Sequence, residues 1–198
     1  MAAPLALPPA AEVLERTRQR DAVVVGTALY GLATLMVAVG LVGIYTTFRS
    51  GVHPWPPEGV HKENYFATMA LFASGMLLFT GEWFAWAVKG GIRRQALQAG
   101  IVSVILLLSM VNGVLYTARE EGYGAGAHTY AVLFYAFTAL AVLTQLVAIA
   151  AHVVGLLRLG GRQLSPSEPQ LGRAIAFANH TAALTWVVTW GALYAASR

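Results

Sequence analysis

Five stretches of the chain run almost free of charge, at roughly 22–47, 65–88, 94–117, 127–157 and 171–195, each bounded by charged residues, Gly or Pro. A helix that crosses a bilayer needs about 20 mostly apolar residues, and every one of these stretches is long enough. They read as helices rather than strands, because an isolated strand in lipid would leave its backbone N–H and C=O groups unpaired. The fourth is the longest, so it tilts or extends past the hydrocarbon. The expected fold is therefore all-α: a polytopic bundle of five transmembrane helices over residues 21–198, preceded by a polar tail, 1–20. Residues 11–20 (AEVLERTRQR) read as a short segment lying at the membrane surface. A cleaved signal peptide is not expected, since Met1 to Ala10 carry no cation before their short, proline-interrupted apolar run.

Composition agrees with lipid as the solvent. Of 198 residues, 57% are hydrophobic and 11% charged, with a mean hydropathy of +0.60, whereas a soluble domain carries about a quarter charged residues. There is no cysteine, which excludes disulfides, thiolate catalysis, iron–sulfur clusters and thiolate zinc sites. The net charge of +4 does not point to nucleic acid, because the cations sit in the connections between apolar runs. Arg16, Arg18, Arg20, Lys89, Arg93, Arg94, Arg158, Arg162 and Arg173 fall on one side of the expected topology, and Arg49, Lys62, Arg119 and Arg198 on the other. The excess of cations on cytoplasmic loops then places the N-terminus in the cytoplasm and the C-terminus outside. Tyr45, Trp55, Tyr65, Tyr123, Tyr130 and Tyr194 stand near the ends of the runs, as interfacial anchors do.

Few ionisable groups interrupt the runs, and an ionisable residue within a span is a functional candidate. Glu82 is either a proton-carrying carboxylate or, as its shallow depth and basic neighbours favour, one that reaches water or pairs with Lys89, Arg93 or Arg94 at the interface. His152 reads as an interfacial histidine. His180, beside Asn179, and Asn112 read as hydrogen-bonding links between helices in preference to ligands or relay groups. A bis-histidine haem needs two imidazoles at one depth on facing helices. His152 and His180 are offset by roughly 6 Å at 1.5 Å per residue, and His53, His61 and His128 fall at or beyond the opposite interface. The chain holds no HExxH, Walker, GxSxG or dinucleotide motif, and no internal repeat of the kind that marks transporters.

Several local patterns, in order, extend the reading. The first run ends GLVGIYTTFRSG and is followed by HPWPPEG. This resembles subunit III of haem–copper cytochrome c oxidases, whose first short-form helix ends in a Gly-aromatic-Arg stretch followed by W-P-P and Gly. Tyr45, Arg49, Trp55, Pro56, Pro57 and Gly59 carry the match. The prolines also stop the helix and stiffen the turn. Ala73, Ser74 and Gly75 are similar to the family's small-polar stretch, and Asn112, Gly113 and Tyr116 fall where it has Q-G-x-E-Y. HTYAVLFYAFTA (128–139) resembles its Y-G-S-L-F-Y-x-x-T-G at Tyr130, Leu133, Phe134, Tyr135 and Thr138. NHTAALTWVVTWGALY resembles its W-H-F-V-D-x-V-W…Y at His180, Trp186 and Tyr194. The chain departs from the family at Thr34 and Leu115, which stand for Glu, at Ala141 and Thr144, which stand for His, at Ala183, which stands for Asp, and at Asn179, which stands for Trp.

The resemblance implies the short, five-helix bacterial form of an accessory subunit in the plasma membrane. It implies packing against catalytic subunit I, which holds the haems and copper, and against other membrane subunits. It also implies structural phospholipid, support of proton uptake and stability in the catalytic subunit, and no redox cofactor or metal on this chain. Arg49, Trp55, Glu82, Asn112, His180 and Trp186 are then the lipid-contact or interface candidates, and none is catalytic. Two other readings are an accessory subunit of another respiratory or nitric-oxide-reductase-type assembly, and a small transporter.

Overall fold

A computed structural model describes residues 10–58, 60, 64–164, 166 and 169–195, with the side chains of 10–21 left aside. The expected positions Gly59, His61, Lys62 and Arg198, and the side chains of Arg16, Arg18 and Arg20, lie outside the described residues. Five α-helices follow one another: α1 (Ala10–Gly51), α2 (Asn64–Lys89), α3 (Arg93–Glu120), α4 (Thr129–Gly160) and α5 (Gln170–Trp190), the last continuing into one π-helical turn, Gly191–Ala195. Four of them are long and apolar enough to cross a membrane: α2, α3, α4 and the Ala22–Gly51 part of α1.

α1 differs from expectation at its start. The polar stretch 10–21 is not a separate surface segment but runs unbroken into the apolar part, giving a helix of 42 residues, about 63 Å at 1.5 Å per residue. No Gly or Pro interrupts residues 10–25, and Glu and Arg favour helix nearly as well as Leu. The expected 171–195 helix changes hydrogen-bond pattern at Gly191.

The ends of α2 and α4 share one construction. Ile92 N–H donates to Ala87 O and Gly91 N–H to Val88 O, closing α2, with Gly91 at φ 69°. Gln163 N–H donates to Arg158 O and Arg162 N–H to Leu159 O, closing α4, with Arg162 at φ 56°. Both are Schellman closures, whose left-handed position normally holds glycine. α4 begins where His128 Nδ1 accepts from Ala131 N–H at 2.9 Å, a side-chain cap on an otherwise orphan donor.

α2, α3, α4 and α5 form a ring in which each packs on the next and α5 closes back onto α2; α1 lies outside the ring against α5, with a lesser contact to α4. α2 and α5 run antiparallel: Gly81 faces Asn179, and Gly172 faces Ala85 and Val88. α1 and α5 run parallel: Gly31 faces Thr181, and Ala22 to Tyr30 line a groove with Leu171 to Ala178. Small residues at these points let the helix axes approach, the usual basis of helix association in lipid.

Polarity is distributed inside out. Phe79, Leu157, Met36 and Phe72 are among many large apolar side chains on the outside, with Phe79 80% exposed, while Ser103, Gln145, His152, Asn179, Thr185 and Thr189 are buried. A water-facing surface would not expose so much hydrocarbon, and this is a membrane-embedded protein.

Candidate functional site

The closest approach of α2 and α5 builds the most conspicuous polar contact. A Cβ added at Gly81 would stand 2.8 Å from Asn179 Nδ2 and 3.1 Å from its Cβ. With these two positions in register, their neighbours Glu82 and His180 come to the same flank, and Glu82 Oε1 lies 3.5 Å from His180 Nε2. The partner of Glu82 is thus a histidine of another helix; of the two arrangements expected for a shallow carboxylate, the pairing with Lys89, Arg93 or Arg94 is not the one formed. The pair is on the outside of the bundle, the Glu82 side chain 65% and the His180 side chain 29% exposed. Beside it runs a groove lined by Val24 of α1, Glu82 and Ala85 of α2, and Arg173, Ala176 and Phe177 of α5. Residues 173, 176, 177 and 180 fall on one helical face by the i, i+3, i+4, i+7 rule, so an anion, a cation and an imidazole share one lateral strip. Such a strip can hold or pass a proton, or receive a polar side chain or head group.

His152 faces the interior of the bundle. It belongs to the stripe Ala141, Thr144, Gln145, Ala148, His152, Gly155, Leu159 that α4 turns inward, and it is fully buried. Its ring lies 5.5 Å from that of Phe84. Nδ1 is 3.1 Å from Ala148 O, and because a carbonyl only accepts, that nitrogen carries the proton. His152 faces the interior and His180 the flank, so the two imidazoles do not face one another. Among the described residues no three His, Asp or Glu side chains converge as a metal-binding group would require. Gln145, Asn179, Thr185 and Thr189 are buried with side-chain polar atoms that find no partner among the described residues. Together with His152 they make the interior of α4 and α5 polar at several levels.

Asn112 also departs from expectation. It is exposed, on the face of α3 that carries Ile105, Leu108, Leu115 and Tyr116, opposite the buried stripe through Ser103, Leu107, Met110 and Val114. It lines a shallow groove with Tyr65, Phe66 and Met69 and makes no hydrogen bond between helices among the described residues. Ser103 and Thr80 supply the α3–α2 link instead, at 2.9 Å.

The end of the bundle away from the 90–92 turn is aromatic. Tyr45, Trp55 and Tyr130 meet edge to face, with centroids 5.5 Å apart for Tyr45–Trp55 and for Trp55–Tyr130, and Arg49 is half-buried close by in α1. Phe134, Phe137, Trp186 and Tyr194 belong to the same buried cluster. Trp186 Nε1–H donates to Ala67 O at 3.3 Å. Tyr135 O–H lies 2.8 Å from Tyr123 O and 3.2 Å from Ala118 O, which ties the α3–α4 connection to α4. In that connection Glu121 is buried. Burial first, and then the negative charge of Glu121, push the Tyr123 phenol well above the ordinary tyrosine range.

Sequence reasoning passed over Glu121, Gln145 and the strip position of Arg173. Glu120 and Glu121 are an acidic doublet at a helix end, and only the phase of α3, with Val114 and Thr117 buried, turns one of them inward. No family model matches the chain, and no curated protein matches it.

Proposed function

We propose that this chain is a five-span accessory subunit, resembling subunit III, of a terminal haem–copper oxidase. The observation that carries the reading is the convergence of the aromatic residues of three of the matched stretches, while Asn112, Tyr116 and His180 lie elsewhere. Tyr45, Trp55, Tyr130 and Phe134 form a chain of ring contacts, and Trp186 and Tyr194 belong to the same hydrophobic core. These aromatic positions therefore do one structural job, locking the end of the bundle.

In this reading α5 is the fifth span. It runs parallel to α1, and its 21 residues reach about 32 Å, enough for a hydrocarbon core of about 30 Å. Its low hydropathy comes from Asn179, Thr181, Thr185 and Thr189, which are buried against α1, α2 and α4, and from Arg173 and His180 on its outer strip. The end that carries Lys89, Arg93, Arg94, Arg158, Arg162 and Arg173 is cytoplasmic by the excess of cations. The haems and copper belong to the catalytic partner in the plasma membrane, and phospholipid fills grooves of this chain. The flank with Glu82, His180 and Arg173 is the docking strip: a carboxyl group facing hydrocarbon is costly, and a partner helix covering it relieves that cost.

The test is to purify the tagged chain from its native membrane in mild detergent. A haem-containing large subunit, seen by optical spectrum and mass spectrometry, is the expected companion. Recovery of the chain alone, with no haem protein at any detergent strength, would sink the proposal. A nitric-oxide-reductase-type companion would move the chain to that assembly. Glu82→Leu is expected to lower the yield of the complex several-fold. The pair lies on the outer flank and not in the packed interior, so the isolated variant should melt within a few degrees of the parent.

One observation favours a transporter as the second reading: Gln145, His152, Asn179 and Thr185 bury polar atoms along the bundle interior. Saturable solute uptake by the isolated chain in liposomes would establish it in place of the first.

A further inference from the structure

We infer that the basic end of the bundle holds a binding pocket for a phosphate-type anion carried on a short apolar group. Arg93, at the start of α3, and Arg162, in the α4–α5 connection, line one cavity of about 270 Å³. The remaining walls are Ala87, Val88 and Gly91 from the end of α2, Ala96 of α3, and Leu159, Leu164 and Pro166. Among the described residues no carboxylate lines it. Two arginines in an otherwise apolar lining match a phosphate oxyanion joined to a few carbons, because a guanidinium offers paired N–H donors to phosphate oxygens. The volume lies just below the usual range for ligand pockets and suits a head group rather than a whole lipid.

Two features mark this as a built site. Arg93 Nη2–H donates to Gly160 O at 3.1 Å, holding the guanidinium across the mouth while its other N–H groups stay available. Arg162 occupies the left-handed position of the α4 Schellman closure, at φ 56°. The matching position of α2 is Gly91, at φ 69°, which also lines the pocket. A non-glycine residue there is disfavoured, although Gly160 and Gly161 directly precede it in sequence. Strain of this kind collects where a side chain has a task, and here the arginine lines the same pocket as Arg93.

The inference rests on the membrane placement proposed above, with this end at the head-group layer, and not on the oxidase assignment. Lipid retention is read on the isolated chain and haem on the complex, so that either can fail alone.

The experiment is native mass spectrometry of the full chain in detergent, titrated with dimyristoyl phosphatidylglycerol. The parent chain is expected to retain one lipid tightly, and Arg93→Gln/Arg162→Gln to weaken that binding at least tenfold. Arg94→Gln/Arg158→Gln removes two cations of the same end that do not line the pocket, and should change it less than threefold. If the glutamine variant does not fold, Arg93→Lys/Arg162→Lys keeps the charge but not the paired donors, and is expected to bind several-fold more weakly. Displacement of the lipid by millimolar inorganic phosphate or glycerol 3-phosphate would identify a soluble source of the anion, and resistance to displacement a membrane lipid; both support the pocket. Parent-like affinity in the Arg93/Arg162 variants, or equal losses in the Arg94/Arg158 variant, would overturn it.

Discussion

Gly81→Ala is expected to destabilise the isolated protein, and Gly75→Ala, six residues earlier on the same helix, to stabilise it. In a helix interior, replacing Gly with Ala gains about 1 kcal/mol from backbone entropy. At Gly75 a new Cβ meets nothing within 4 Å, so that gain is kept. At Gly81 the same atom would stand 3.1 Å from Asn179 Cβ, which cannot move without its helix. Overpacking of this kind costs about 1–3 kcal/mol and outweighs the propensity term. Gly81→Leu should prevent α2 and α5 from closing at all, separating Glu82 from His180. Thermal melting in detergent, followed by circular dichroism, gives both signs in one series. Equal melting temperatures for the two alanine variants would show that the α2–α5 contact is looser than described.

The second large effect is expected at Trp186. It is 1% exposed, and its indole N–H reaches across to the α2 backbone at Ala67. Trp186→Ala should cost toward the lower end of about 3–5 kcal/mol. The lower end applies because the alternative surroundings are hydrocarbon rather than water, leaving lost packing contacts as the main term. Trp186→Phe keeps most of the ring and loses the hydrogen bond, and should cost about 1 kcal/mol. If the alanine variant melts like the parent, the aromatic cluster is not what holds that end together.

The helices themselves were legible. Charge-free runs bounded by Gly, Pro and charge placed the interiors of all five, and α2 through α4 differ from expectation by at most three residues at an end. The start of α1 was missed because hydropathy marks where lipid begins, not where a helix begins. The candidate polar residues were visible, but not which way they face. In a soluble protein an apolar stripe reveals the buried side of a helix; here both sides are apolar and the stripe is lost. For that reason neither the outward turn of Asn112 nor the full burial of His152 could be read along the chain. The Glu82–His180 pair joins residues 98 positions apart through a glycine contact, which nothing local in either helix announces. What was readable near it was Gly81 directly before Glu82 and Asn179 directly before His180.

The helix on which α1, α2 and α4 all lean is the fifth in chain order. During synthesis, each of those three emerges before the surface it will rest on exists. α2 and α3 can pair early, while α1 must wait in the bilayer through more than a hundred residues of further translation. Assembly is therefore gated from the C-terminal side. Lesions in α5 would leave α1 without the surface it rests on and the α2–α3–α4 row unclosed, and quality-control proteases would meet such a chain only late in its production.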